Sequence, residues 1–393
     1  MSAPWLTVIG IGEDGPAGLS AAARGLIAAA EAVAGGARHL AMVDTAAERL
    51  EWPSPFSGAR ALLEARRGKR VAVLASGDPM WFGIGATLAR WFDPAEMTVL
   101  PHAGAFSLAA ARLGWPLHEC LCLTIHGRPL DALALHLQPG RRLLVLGEDC
   151  HSAAAIAGLL RSHGFGSSRL VALQRLGGPA ETIVEAPAGP TDALTVIAVA
   201  VAADGGARPL ALVPGLPDDA FLHDGQLTKR EVRAATLAAL APLPGQLLWD
   251  VGAGCGSVAI EWMRAGGTAV AVEPRPERCD RIARNAAALG VPGLEIVRAA
   301  APAGLPAGTP DAVFVGGGVS EPGLLETCRQ RLRPGGRLVA NAVTAEGEAA
   351  LLALRARHGG DMARLSVARL APVGGFHTWH PAMPVTQYMG VKE

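Results

Sequence analysis

Lysine is almost missing from this 393-residue chain: Lys69, Lys229 and Lys392 are the only three, so nearly all the positive charge is arginine. Genomic composition accounts for the bias in so Ala- and Gly-rich a sequence, yet any Schiff-base amine has to be one of these three. Net charge is missing too. Lys+Arg and Asp+Glu each number 35, which excludes a general attraction to nucleic acid or to a membrane surface. The six cysteines (Cys120, Cys122, Cys150, Cys255, Cys279, Cys328) form no CxxC pair and no zinc spacing with histidine. They read as reduced thiols, and no metal site is expected. No apolar run approaches the ~18 residues of a membrane span, and no basic segment, apolar core and cleavage site open the chain. A soluble, cytoplasmic protein is the expectation. Ser/His/Asp and paired-carboxylate signatures are also lacking.

What is present is a folded, apolar chain. Half the residues are hydrophobic and 18% charged, which excludes disorder, and the length predicts two or three domains at ~150 residues each. The clearest local feature is LWDVGAGCGSVAIEW (248–262). Leu247 to Trp249 lead in as a buried strand closed by Asp250. Gly252, Gly254 and Gly256 then make a turn into an apolar segment at helical spacing. Glycines at a strand-to-helix turn let a ligand approach bare backbone, and the helix N-terminus offers unpaired N–H groups. A second strand, Thr268 to Val272, ends in Glu273, roughly 20 residues on, where an acid can hold a ribose diol. A ligand-free tight turn is the bland alternative; a nucleoside cofactor is the better reading.

Earlier in the chain, Trp5 to Ile9 is a strand followed by GIGEDG (10–15), a weak GxGxxG match. The following helix is expected over 19–31. The next acid placed at a strand end, Asp44, lies about 30 residues beyond the turn rather than ~20, which argues against NAD there. Val71 to Ala75 is a strand running into Ser76-Gly77-Asp78-Pro79, where proline forces a turn at the strand's end. Strands follow at 97–100, 120–125, 143–146, 169–173, 182–185 and 195–201, with a helix at 106–112. A Gly/Pro-rich stretch, 204–216, separates this half from the next. Thr228 is a plausible N-cap completing a capping box with Glu231. Strands at 247–250, 268–273, 294–297, 311–315 and 337–341 alternate with helices at 258–264, 277–289 and 322–332, the pattern of a parallel doubly wound sheet. Residues 362–371 and 384–391 read as two further strands joined by a loop containing His377, Trp379 and His380.

The motifs TVIGIGEDG, ASGDPMWFGIG, AFSLAAARLGWPL, LTIHGR and RLGGPAET resemble the tetrapyrrole (corrin and porphyrin) methylases over about residues 4–203, and in particular their C5-methylating module. That resemblance implies two α/β subdomains with S-adenosylmethionine (SAM) between them. Gly10 and Gly12 would shape the first loop, Ser76, Gly77 and Asp78 would line the cofactor cleft, and Gly104 and Ala105 would flank the cofactor. Relatives usually carry a hydroxyl residue where Gly104 sits. His126 and Arg128 occupy the HGR triplet; Arg128 would grip a substrate carboxylate or else make a structural salt bridge.

In the second half, LTKREVRA, WDVGAGCGSVAIE, VGGG, RPGGRLVANAVT and PAMPVTQ resemble the C15-methylating, C12-acetate-decarboxylating module of the same pathway, over about 217–393. A Rossmann-like class I SAM methyltransferase domain with a terminal antiparallel strand pair is what this resemblance implies. Thr228, Gly252, Ala253, Gly254, Cys255, Gly256, Glu273 and Ala301 would then hold SAM. The combined expectation is an enzyme with domains 1–203 and 217–393, a 204–216 linker and two SAM sites. It would methylate a precorrin at C5 and C15 and decarboxylate it to precorrin-8X in aerobic cobalamin synthesis, as a homo-oligomer through its C-terminal domain. His377 and His380 are acid candidates, with His377 also a substrate contact, and Lys229 reads as an exposed helix-start residue. Two rival classes stay open: an NAD(P)-dependent oxidoreductase would use the same glycine loop and Glu273, and an RNA or protein methyltransferase would share the second half.

Overall fold

The computed structural model describes residues 4–185 and 189–393, and the chain divides into two compact units. The first comprises residues 1–130 and 138–207, the second 131–137 and 208–393.

The first unit begins with β1 (Leu6–Ile11), α1 (Ala21–Ala29), β2 (Ala32–Gly35), α2 (Ala37–Met42), β3 (Glu48–Glu51), α3 (Ala59–Glu64), β4 (Val71–Ser76), α4 (Ile84–Trp91) and β5 (Met97–Leu100). The strands form a parallel sheet in the order β3-β2-β4-β1-β5. Period-two alternation sends Leu6 and Val8 of β1 into one core with Leu63 and Leu88, and Ile9 and Ile11 into another with Ile27 and Leu40. Apolar cover on both faces is why β1 and β4 read as nearly unbroken apolar runs. A second sheet follows α5 (Ala105–Leu113). Its strands are β6 (Cys120–Thr124), β7 (Arg142–Leu146), β8 (Arg169–Gln174), β9 (Thr182–Glu185) and β10 (Thr195–Ala200), with α6 (Ser152–Ser162) between β7 and β8. The order is β6-β7-β10-β8-β9, parallel only between β6 and β7. Helix α1 is shorter than expected at both ends: Ser20 caps its start through the Ala23 N–H, and the chain turns extended at Ala30. Asp44 follows helix α2, not a strand, so the spacing argument from it lapses.

The second unit contains α7 (Arg230–Leu240), β11 (Leu247–Val251), α8 (Ser257–Arg264), β12 (Thr268–Val272), α9 (Pro276–Ala288), β13 (Glu295–Val297), β14 (Ala312–Val315), α10 (Leu324–Arg331) and β15 (Arg337–Ala342). Beyond these lie α11 (Ala345–His358), β16 (Asp361–Leu365), β17 (Ala368–Val373), β18 (Phe376–Pro381) and β19 (Val385–Val391). Seven strands form one sheet, β13-β12-β11-β14-β15-β19-β16, in which β19 runs antiparallel to both neighbours. Leu248 of β11 joins a core with Leu237, Ile260 and Ile282; Trp249 joins the opposite one with Leu325, Cys328 and Leu354.

Two elements correct the sequence reading. Helix α11 was not anticipated; Thr344 caps it by accepting from the Gly347 N–H at 3.2 Å. The supposed loop around His377 and Trp379 is instead a hairpin, β17–β18, turned at Gly374-Gly375 with Gly374 at φ 57°. A two-residue Gly-Gly connection between apolar strands is itself a hairpin signal.

Candidate functional site

In the second unit the strand order reverses at β11, which pairs with β12 on one side and β14 on the other. Ligands of open α/β sheets gather at the carboxyl ends of such strands. There the chain passes through three left-handed glycines, Gly252 (φ 69°), Gly254 (φ 61°) and Gly256 (φ 79°). A β-carbon on Gly252 would stand 2.8 Å from the backbone of Gly317, in the glycine run after β14. The two loops therefore meet backbone to backbone. Glu273, 2% exposed at the end of β12, accepts the Gly254 N–H at 2.9 Å and the Arg275 N–H at 3.2 Å. A carboxylate offers about four lone-pair positions, so acceptor capacity remains toward the cleft.

Asp250 is 1% exposed; its Oδ2 accepts the Ala259 N–H at 3.0 Å and its Oδ1 has no protein partner. Burial pushes this carboxyl up to about 7; the Ala259 N–H opposes the shift and the Glu273 charge adds to it. Near neutral pH, Asp250 exists both as a carboxylic acid and as a carboxylate.

A cleft of about 870 Å³ collects Thr228, Gly252, Ala253, Gly254, Glu273 and Ala301. Cys255 and Gly256 lie behind it. Cys255 is buried in the core, where burial raises its thiol, and its carbonyl accepts from the Asn285 side chain at 3.0 Å. Gly256 is the N-cap of α8. Thr228 does not form the expected capping box. Lys229 takes the N-cap place, without a side-chain cap, and Glu231 bonds instead to Arg369 at 2.8 Å. His377 and His380 also part company, since positions three apart on a strand face opposite ways. His380, cross-strand from Arg369, lines the cleft; His377, opposite Pro372, does not, which removes it as a contact there.

Sequence reasoning missed what holds this rim in place. Arg233 is fully buried, with its guanidinium bonded to Glu261 at 2.5 Å and to the carbonyls of Leu216 and Thr228. Glu261 in turn accepts the N–H groups of Gly215 at 2.6 Å and Leu216 at 3.0 Å. Asn341 was missed as well. It lines the cleft and accepts from the Gln387 side chain at 2.9 Å while donating to the Thr236 hydroxyl at 2.9 Å.

In the first unit the loops after β1, β4 and β5 lie side by side. The Gly77 N–H donates to the Ile11 carbonyl at 3.0 Å, and the His102 N–H donates to the Gly77 carbonyl at 3.2 Å. A β-carbon on Gly10 would fall 2.0 Å from the Gly77 carbonyl oxygen, so only glycine fits. Gly10 is packing beneath a cleft of about 1100 Å³ that takes in Gly12, Ser76, Gly77, Asp78, Gly104 and Ala105 on one side and His126 and Arg128 on another. A β-carbon at Gly104 meets only Asp78, at 3.5 Å, and its φ is −75°, so a hydroxyl residue would fit there. Glu13 ties Arg38 and Arg175 together. His39, half-buried, bonds the Ser76 hydroxyl at 2.9 Å; burial and then the Arg38 charge lower its pKa to about 4. Arg128 makes no ion pair among the described residues; its guanidinium sits 5.2 Å from the Phe82 ring centroid. Among the described residues no His/Cys/Asp/Glu group could hold a metal ion, and no helix is long and apolar enough to cross a membrane.

Comparison with known proteins assigns each unit its own family. Residues 6–191 match the tetrapyrrole (corrin/porphyrin) methylases, and residues 219–392 match the precorrin methyltransferase domain. The precorrin-6Y C(5,15)-methyltransferase [decarboxylating] of a Sinorhizobium species is 52% identical over 99% of this chain and 97% of its own. The protein of the same name from Mycobacterium tuberculosis is 43% identical over 98% of this chain and 100% of its own. The Salmonella typhimurium cobalt-precorrin-6B C(15)-methyltransferase (decarboxylating) is 33% identical over 43% of this chain and 92% of its own. Two fused modules, each with a glycine-lined cleft at the ends of parallel strands, thus coincide with relatives that align over nearly the whole chain: the chain belongs to the precorrin-6Y C5,15-methyltransferase (decarboxylating) family of enzymes.

Proposed function

We propose that the chain transfers two methyl groups from SAM to one precorrin, at C5 by the first unit and at C15 by the second. The second unit also removes the C12 acetate carboxyl, giving precorrin-8X in the aerobic route to cobalamin. The observation that carries this reading is the pair of separate clefts, one per unit, each floored by glycine loops at the carboxyl ends of parallel strands. The domain division that goes with it is 1–203 and 217–393, joined by 204–216.

The second cleft suits a nucleoside sulfonium. Glu273 keeps acceptor capacity for ribose hydroxyls, and the buried, unpartnered Asp250 Oδ1 supplies a further acceptor. Thr228, Gly252, Ala253, Gly254 and Ala301 complete the holding set, with Cys255 and Gly256 fixing the loop from behind. In the first unit Gly12, Ser76, Gly77, Asp78, Gly104 and Ala105 fill that part, with Gly10 beneath. SAM supplies a methyl group on a positively charged sulfur, a strong electrophile. The chain's own task is then alignment and exclusion of water rather than strong base chemistry. Phe314, Val343 and Met383 give the second cleft an apolar wall, the lining that exclusion of water needs once ligands fill it. Arg128 and His126 are placed to receive a substrate carboxylate in the first cleft. His380 is the histidine placed to deliver a proton in the second. Self-association through the second unit is supported by the hairpin, where Phe376 (80% exposed) and Trp379 (66%) lack cover.

Mass spectrometry of a precorrin incubation with isotope-labelled SAM tests the proposal. Two labelled methyls and one lost CO2 per macrocycle are expected from the full chain. Protection from thermal unfolding by NADH rather than SAM would overturn it, and a monomer at micromolar concentration in light scattering would remove the oligomer.

A further inference from the structure

The first cleft holds a feature outside the set of residues assigned to the cofactor. Met80, Trp81 and Phe82 stand consecutively in its wall, 48%, 43% and 43% exposed. A single exposed apolar side chain needs no explanation, but three in a row on a concave wall do. These three are also braced. The Asp78 carboxylate accepts the Met80 N–H at 2.9 Å, and the Asp78 carbonyl accepts the Trp81 N–H at 3.2 Å. The Trp81 and Phe82 rings lie 5.5 Å and 6.0 Å from that of buried Phe106. Phe82 holds φ 54°, a left-handed conformation that strains a bulky residue, and such outliers cluster at ligand clamps. The chain can leave the segment only through glycine: β-carbons on Gly83 and Gly85 would lie 2.6 Å and 2.8 Å from the Pro79 carbonyl oxygen. At the edge of this plate sits Arg128, its guanidinium over the Phe82 ring at 5.2 Å from the centroid and free of any carboxylate among the described residues, whereas Arg38 and Arg175 in the same cleft are already held by Glu13.

We propose that Met80, Trp81 and Phe82 form the seat for the apolar face of the macrocycle in the first unit, and that Arg128, over the Phe82 ring, reads a carboxylate on the macrocycle's periphery. This rests on the reading of the first unit as the C5 methyltransferase and deepens it by assigning the residues that select the substrate. A flat apolar ring with acidic side chains matches the plate and its unpaired cation. A planar guanidinium over a ring keeps its fork free for bidentate pairing at the edge.

The test uses the full-length protein with saturating labelled SAM, following C5 methyl incorporation against macrocycle concentration. Trp81→Ala, Phe82→Gly and Arg128→Gln should each raise the macrocycle KM at least tenfold. SAM affinity by calorimetry should stay within twofold, and CO2 release by the second unit should be unchanged. Phe82→Gly separates the ring from the backbone, since glycine accepts φ 54° without strain. Arg128→Lys, which keeps the charge but loses the planar fork, should fall between wild type and Arg128→Gln. An unchanged macrocycle KM, or a parallel loss of SAM affinity, would overturn the assignment. A wild-type protein that transfers no methyl to C5 would instead sink the functional reading beneath it.

Discussion

The two clefts are built by different means. In the second unit a single strand-turn-helix carries most of the site, and a buried ion pair, Arg233–Glu261, ties down its rim. In the first, three loops from three strands share the work, and the arginines that flank Glu13, Arg38 and Arg175, stay more than a third exposed. A site built on one local segment is sensitive to a few buried groups. One assembled from several loops spreads that dependence over backbone contacts such as Gly10 against Gly77.

The largest expected effect follows from that contrast. Arg233→Ala leaves Glu261 buried without its partner and should destabilise the second unit by about 3–5 kcal/mol. Chemical denaturation should show one unit's transition shifting while the other's stays; a shift within error of zero would mean the pair is solvated. Next comes Glu273→Ala, which should weaken SAM binding by the second unit by ~1–3 kcal/mol, the scale of a lost charged hydrogen bond. Isothermal titration should resolve one weakened and one unaltered site, and two equal affinities would remove the ribose assignment.

Asp250 gives an effect of similar size that depends on pH. Its folded pKa, about 7, lies above the ordinary aspartate value of 3.8, so the folded protein binds its proton more tightly than the unfolded chain does. The stabilisation is full below pH ~4 and is lost as pH rises toward ~7. Asp250→Asn should therefore raise Tm at pH 8 by more than at pH 5. Equal shifts at both would show that Asp250 does not titrate in this range. Smallest of all, Gly104→Ser should alter stability by only a few tenths of a kcal/mol, because serine is as good an N-cap as glycine or slightly better. A loss above about 1 kcal/mol would show that position 104 has no room for a side chain.

The glycine loop, Glu273 and the parallel strands of the second unit's sheet were legible because their signals are local: apolar strands, a turn and an acid at short range. Arg233 was not. It looks like any charged residue on a helix start until its partner Glu261, 28 positions on, is placed beside it. The two histidines of β18 needed the hairpin's register before one could be assigned to the cleft and the other excluded. Helix α11 escaped notice for a different reason, since Leu351 and Leu354 are the only large side chains it buries. Gly374-Gly375 was legible and went unread.

The place of β19 in the sheet has a consequence for how the protein is made. It emerges from the ribosome after every other strand of its sheet, yet it lies between β15 and β16 and pairs with both. While residues 385–391 remain in the exit tunnel, β15 and β16 have open edges and the second unit has no complete sheet. The first unit, whose strands have all emerged by residue 200, is free to close beforehand. Nascent chains stalled just short of β19 should thus carry one finished module and one that chaperones still recognise.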